Sequence, residues 1–188
     1  TLADVEAQYD RDFVRARASW SAALTSDPRH VRARCERALW LLSAGEFTPT
    51  ETLEECARAV LDDPLNTWVA GMHSFALGLL GRHAEAIEEA ERAFRLDGAA
   101  FFAQWGLMRA HAWAGNYDRA LERASALLNT SGRHYWALGT LSWIYGKTAL
   151  PGMARAVFDE MEARSRLEFV APFWLASAPP TNSGAQVM

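Results

Sequence analysis

The chain has 188 residues, half of them hydrophobic, with a formal net charge of −4 and a pI of about 5.7. This is enough apolar mass for one compact domain or for an elongated array with a continuous core. The mildly acidic balance gives no bulk attraction for phosphate, so no nucleic-acid partner is expected. No run of about 18 apolar residues occurs either, so no membrane span is expected.

Of the nineteen basic residues only Lys147 is a lysine. With the heavy use of alanine, this reads as the product of a GC-rich bacterial gene. Cys35 and Cys56 are too few for a disulfide framework and form no CxxC pair. They read as small buried hydrophobes in a reducing, cytoplasmic setting. The chain begins at Thr1 rather than at methionine, which reads as a piece of a longer protein.

Taken in chain order, residues 1–9 read as a short helix, followed by an amphipathic helix in DFVRARASWSAALTSDP that stops at Asp27-Pro28. Trp20 and Trp40 are expected in the core, since tryptophan is highly buried on average. A third helix from Val31 ends near Gly45, and the turn GEFTPT follows. Thr48-Pro49-Thr50-Glu51 has the form of a capping box with proline at the first helical position, so a helix starts at about Pro49 and stops at Asp63-Pro64. From residue 67 the pattern becomes regular. A helix rich in large residues leads to a glycine (Gly81, Gly115), and an alanine-bearing helix follows. Pro151 opens the second helix of the last full pair.

The segments LLGRHAEAIEEAERAFRLDG and WAGNYDRALERASALLNTSG align without a gap at an offset of 34 residues. Gly81 falls on Gly115, Ala86 on Ala120, Ala90 on Ala124 and Gly98 on Gly132. Further steps reach Ala154 and Phe158, Ala59 and Pro64 and, with two extra residues, Ala16 and Trp20. The glycine can take the left-handed conformation that ends a helix, and the alanine sits where two helices must approach closely. Self-similarity at this period marks a stacked-repeat architecture.

A 34-residue helix-turn-helix unit with Gly, Tyr, Ala and Pro at these places resembles the tetratricopeptide repeat. The resemblance spans about Asp10 to Arg166 and implies an all-α, right-handed α-solenoid of about four stacked repeats. The divisions are a partial N-terminal repeat (1–30), a degenerate repeat with a longer turn (31–66) and three better repeats (67–100, 101–134, 135–168). A helix stub (169–177) and a disordered tail (178–188) follow. The glycine in the middle of the family's first helix is missing, with Ser74, Met108 and Ser142 in its place. The close of the matched region, RSRLEFVAPFWLA, is similar to the end of repeat regions in bacterial multidomain regulators.

In such a solenoid the inner face is lined mainly by the first helix of each pair. The family's groove positions, carried onto this chain, imply a partner-binding groove containing Trp68, Phe75, Phe102, Trp105, Arg109, Trp136 and Trp143, with Trp113 and Lys147 at its edge. The set is aromatic, and it lacks the Lys/Asn/Arg group with which some family members grip a terminal carboxylate. An apolar or amphipathic segment is expected there, with Arg109 fixing one polar group. The same tryptophans equally read as packing, in an array that fills its own groove.

Catalytic chemistry is not expected. The five histidines form no HxxxH or HExxH pair, so no metal is expected. No phosphate loop and no GxSxG elbow occurs, and no cofactor is implied. Glu88, Glu89 and Glu91 read as a solvated helix face. Three readings follow. The first is a non-enzymatic scaffold for a protein or peptide. The second is a homodimerisation or intramolecular docking domain. The third is a small-molecule sensor or enzyme with an aromatic pocket.

Overall fold

A computed structural model describes residues 2–170 and Leu175. The described residues form ten helices and no strand: α1 (Leu2–Gln8), α2 (Phe13–Ser26), α3 (Val31–Ser43), α4 (Pro49–Asp62), α5 (Thr67–Leu79), α6 (His83–Leu96), α7 (Phe101–Trp113), α8 (Tyr117–Thr130), α9 (Tyr135–Lys147) and α10 (Pro151–Ser165). None of them is long and apolar enough to cross a membrane. The chain divides after Gly115 into two compact units, one holding α1 to α7 and the other α8 to α10. The expected stub and tail, with Phe173 and Trp174, fall outside the described residues, apart from Phe169, Val170 and Leu175.

The ends of the helices follow from local chemistry. At α4 the Thr48 hydroxyl accepts from the Glu51 N–H at 3.2 Å while the Glu51 carboxylate accepts from the Thr48 N–H at 2.8 Å. Two of the four orphan donors of the helix start are thereby satisfied, and Pro49 needs no N–H there. At the end of α5 the Gly81 N–H donates to Gly78 and the Arg82 N–H to Leu77, both at 3.0 Å. This Schellman closure places Gly81 at φ +72°, a conformation that costs glycine little. Asp27, Asp63 and Asp97 close α2, α4 and α6, each with its N–H on a carbonyl four residues back.

In the first unit each helix packs on the next, and α5 also packs on α7 and α3 on α5. Contacts therefore run between chain neighbours and between successive first helices, as a stacked array requires. Alanines occupy the close approaches: Ala59, Ala86, Ala90 and Ala93 are fully or almost fully buried. Trp20 is 1% exposed within a cluster that includes Ala3, Ala7, Ala16 and Ala33, with Trp40 half-buried against it. Its indole N–H points to the buried carboxylate of Glu36 at 3.4 Å. Cys35 and Cys56 are both buried, on α3 and α4.

In the second unit α9 packs on both α8 and α10. Ala120, Ala124, Ala137 and Ala154 are its buried small residues, filled in by Leu138, Ile144 and Met161. A bond pattern repeats in both units. The Ser74 hydroxyl donates to the Ala86 carbonyl at 2.8 Å, and the Ser142 hydroxyl donates to the Ala154 carbonyl at 3.1 Å. The serines that replace the family's glycine thus tie each first helix to the close-approach alanine of its second helix.

One charge sits differently from the sequence expectation. Glu89 does not belong to a solvated face: its side chain is only 13% exposed, lying 3.2 Å from His73 Nδ1 on α5 and 2.7 Å from the Arg92 guanidinium. Burial alone would raise its pKa, but the hydrogen bonds and charges of Arg92 and His73 outweigh burial and hold it at about 2. A depressed carboxylate stabilises the fold above its unfolded-state pKa and loses that contribution as pH falls through the folded value. Acid unfolding between about pH 4.5 and 2 should therefore be shallower in Glu89→Gln, with on the order of 3 kcal/mol at stake for the wild type. Chemical denaturation at a series of pH values reads this slope; equal slopes would remove Glu89 from the acid response. In the same unit, Ala86→Trp should overpack the α5–α6 contact and cost roughly 1–3 kcal/mol or more. A melting temperature unchanged by that substitution would mean the α5–α6 contact is not there.

Candidate functional site

On α5, Trp68, Gly71, Phe75 and Gly78 recur at helical spacing, and on α7 so do Phe102, Trp105, Arg109 and Trp113. The two helices approach closely because glycines face the contact. A Cβ on Gly71 would lie 3.1 Å from the Phe102 carbonyl oxygen, and a Cβ on Gly106 would lie 3.6 Å from the Gly71 Cα. A Cβ on Gly78 would lie 2.2 Å from Cε3 of Trp113, so the indole occupies the space a side chain at 78 would need.

The rings meet in this contact. Phe75 and Trp113 are 5.3 Å apart between centroids at 31°, while Trp68 meets Phe102 edge-on at 6.1 Å and Phe102 meets Trp105 edge-on at 6.2 Å. Such pairs contribute about 0.5–1.5 kcal/mol beyond the area they bury. Trp68, Phe75, Phe102 and Trp113 are half-buried, whereas Trp105 is buried at 4% exposure.

Arg109 departs from the expectation of a ligand-facing cation. It too is only 4% exposed, with its Cζ 4.0 Å from the Trp105 ring centroid, 4.1 Å from Phe75 and 5.0 Å from Trp113. Its Nη2 donates to the Gly71 carbonyl at 3.4 Å, and its Nη1 has no hydrogen-bond partner. Burial pulls its pKa well below the ordinary guanidinium value. Ring faces compensate part of that desolvation, each by about 2 kcal/mol or more when water is excluded. Arg32 on α3 makes a similar approach, 5.1 Å over Trp68, but Glu36 and Asp4 balance its charge.

The second unit holds the other expected residues. Trp143 is 38% exposed, with Tyr117 6.5 Å and the Lys147 ammonium 5.6 Å from its ring. Nothing would meet a Cβ on Gly146, and Lys147 is exposed. Trp136 is half-buried at the start of α9, where the His134 Nδ1 accepts from its N–H at 3.3 Å and the His134 ring stacks on Tyr135 at 4.5 Å. Burial, with Arg164 nearby, pulls the His134 pKa down and favours the neutral ring that this cap needs. The histidine is thus a helix cap.

One feature carries no signal in the sequence. A cleft of about 630 Å³ opens between α8 and α10, lined by Leu128, Tyr145 and Val157, among others, with the bidentate Arg133–Glu160 pair at its edge (2.6 and 2.7 Å). It depends on how far α8 and α10 stand apart, which no residue pattern encodes. Among the described residues no three His, Cys, Asp or Glu side chains converge in a metal-binding arrangement.

The fold is shared with solved structures. A tetratricopeptide repeat protein from Parabacteroides merdae superposes with a TM-score of 0.66 at 15% identity, over 86% of this chain and 62% of its own. PilW, a type IV pilus biogenesis factor, superposes with a TM-score of 0.65 at 22% identity, over 94% of this chain and 79% of its own. The fold is the tetratricopeptide-repeat fold. A third repeat protein, YrrB, described as having an unusual peptide-binding site, superposes with a TM-score of 0.50 at 19% identity, over 84% of this chain and 79% of its own. The sequence matches no family model and no curated protein.

In this tetratricopeptide-repeat frame the rings of the candidate site lie on first helices, and Gly78 decides where one of them lies. Gly78→Val should drive the Trp113 ring off α5, lower the melting temperature and shift tryptophan emission to the red. Unchanged melting and emission would mean that Trp113 does not lie over Gly78.

Proposed function

We propose that this chain is a protein-interaction scaffold that holds an apolar or amphipathic peptide segment against the first-helix face of α5 and α7, as part of a bacterial cytoplasmic regulatory assembly. The observation that carries the reading is the row of half-buried rings, Trp68, Phe75, Phe102 and Trp113, set over glycine backbone. Rings held in place by neighbours lose little conformational freedom on binding and leave part of their apolar surface for a partner. Peptide recognition in YrrB, a repeat protein of the same fold, supports the same direction. The mechanism is burial of aromatic surface, with no bond made or broken.

The test is a heptapeptide phage library panned against the whole chain, followed by affinity measurements on the leading peptides. Trp68→Ala and Trp113→Ala should each weaken binding by about tenfold or more while leaving the helical circular dichroism intact. A library that enriches nothing, or variants that bind as the wild type does, would count against the proposal.

Self-association is the second reading, and a specific feature favours it. Leu2, Val5 and Tyr9 recur at helical spacing in and just after α1 and are 65%, 47% and 58% exposed, with Val14 of α2 77% exposed. An exposed apolar face of this kind suits a second copy of the chain. Mass in solution across a concentration range decides between the readings: a monomer at every concentration removes self-association.

A further inference from the structure

Arg109 is a cation enclosed by rings, and its bonding is incomplete. The faces of a guanidinium are apolar and stack on aromatic rings, whereas its five N–H donors point outward from its edge in one plane. Here Phe75 and Trp105 lie within 4.1 Å of the Cζ, so the faces are satisfied. At the edge, Nη2 has one long bond to the Gly71 carbonyl at 3.4 Å, and Nη1, fully buried, has none. No carboxylate among the described residues forms an ion pair with it. Arg32 provides the contrast on α3, on the other side of α5: it stacks over Trp68, and its edge meets Glu36 and Asp4. The two sites have the same stacking chemistry, and only one of them has its anion.

A buried cation without a counter-ion is the costly half of an ion pair, and a carboxylate approaching in the guanidinium plane supplies two parallel hydrogen bonds and the missing charge. Phe75 and Trp113 are half-buried and lie 4.1 and 5.0 Å from the Arg109 Cζ, so rings that reach the protein surface form part of the cover over Arg109. We propose that Arg109 is the anchor for a carboxylate, so that the segment held on this face is an acidic peptide carrying one Asp or Glu flanked by apolar residues. The inference rests on the scaffold reading given above and names its partner class. The apolar flanks pack on the half-buried Phe75 and Trp113 rings, and the single acid meets the guanidinium edge.

The same heptapeptide library, panned on the whole chain, tests this. Asp or Glu should be enriched at one position with apolar residues around it. The leading peptide and its Asp→Asn or Glu→Gln counterpart are then compared by fluorescence anisotropy. The acidic form should bind the wild type at least about tenfold more tightly. In Arg109→Gln, checked for folding by circular dichroism and melting, the two forms should bind alike. If Arg109→Gln does not fold, the wild-type comparison still decides, together with the NMR signal of the Arg109 side chain. That signal should shift with the acidic peptide and not with its amide. An enriched pool without an acidic position, equal binding of the two forms, or an acidic preference that survives in folded Arg109→Gln overturns the anchor and leaves the scaffold reading standing. A library that enriches nothing overturns both.

Discussion

The near-contact of two helix backbones governs the first unit. At Gly71 and Gly106 the facing surfaces of α5 and α7 carry no side chain, and the Phe102 carbonyl lies where a Cβ on residue 71 would press. Helices that approach this closely cannot keep their large residues between them, so Phe75, Trp105 and Trp113 spread along the contact and stack on one another or on Arg109. The guanidinium is thereby enclosed, with the Phe75 and Trp105 rings within 4.1 Å of its Cζ. Gly71 is the tighter of the two positions, since a Cβ there would press on the Phe102 carbonyl at 3.1 Å while one on Gly106 would meet the Gly71 Cα at an ordinary 3.6 Å.

Much of the fold was legible in the sequence because its signals are local. Thr48 and Glu51 cap each other across three residues, Gly81 takes the one backbone conformation that ends α5, and Asp63 and Asp97 close their helices without help from elsewhere. None of these depends on a distant partner, so a reading along the chain finds them. Two histidines act as caps, His30 accepting from Ala33 and His134 from Trp136, a role that no spacing in the sequence assigns to them.

The site was legible only as a register. Period and position place Trp68, Phe75, Trp105 and Arg109 on first helices, but their exposure depends on how near the next helix comes. Arg109 has the spacing of a groove residue and is nevertheless enclosed, because two glycines on another helix let α5 close over it. Glu89 was hidden for a similar reason. It stands among Glu88 and Glu91 in the sequence, yet a histidine from α5 reaches it and takes it out of solvent. In both cases the deciding neighbour lies on a different helix, and no property of the residue itself announces it.

The serine-to-alanine bond has a bearing on how such a chain can change length. Ser74 and Ala86 stand twelve residues apart, and so do Ser142 and Ala154, with the whole pair displaced by two repeat lengths. The bond is thus a phase mark: duplicating or excising one complete unit leaves hydroxyl and carbonyl opposite each other. An insertion of a few residues within a helix pair would separate them. The longer turn between α3 and α4 falls in a pair without that serine, where the Thr52 hydroxyl instead donates to the Ala38 carbonyl at 3.4 Å, fourteen residues away. Recombination can therefore edit this protein in whole repeats, and the intervals between Ser74 and Ala86 and between Ser142 and Ala154, turns included, are those it must leave intact.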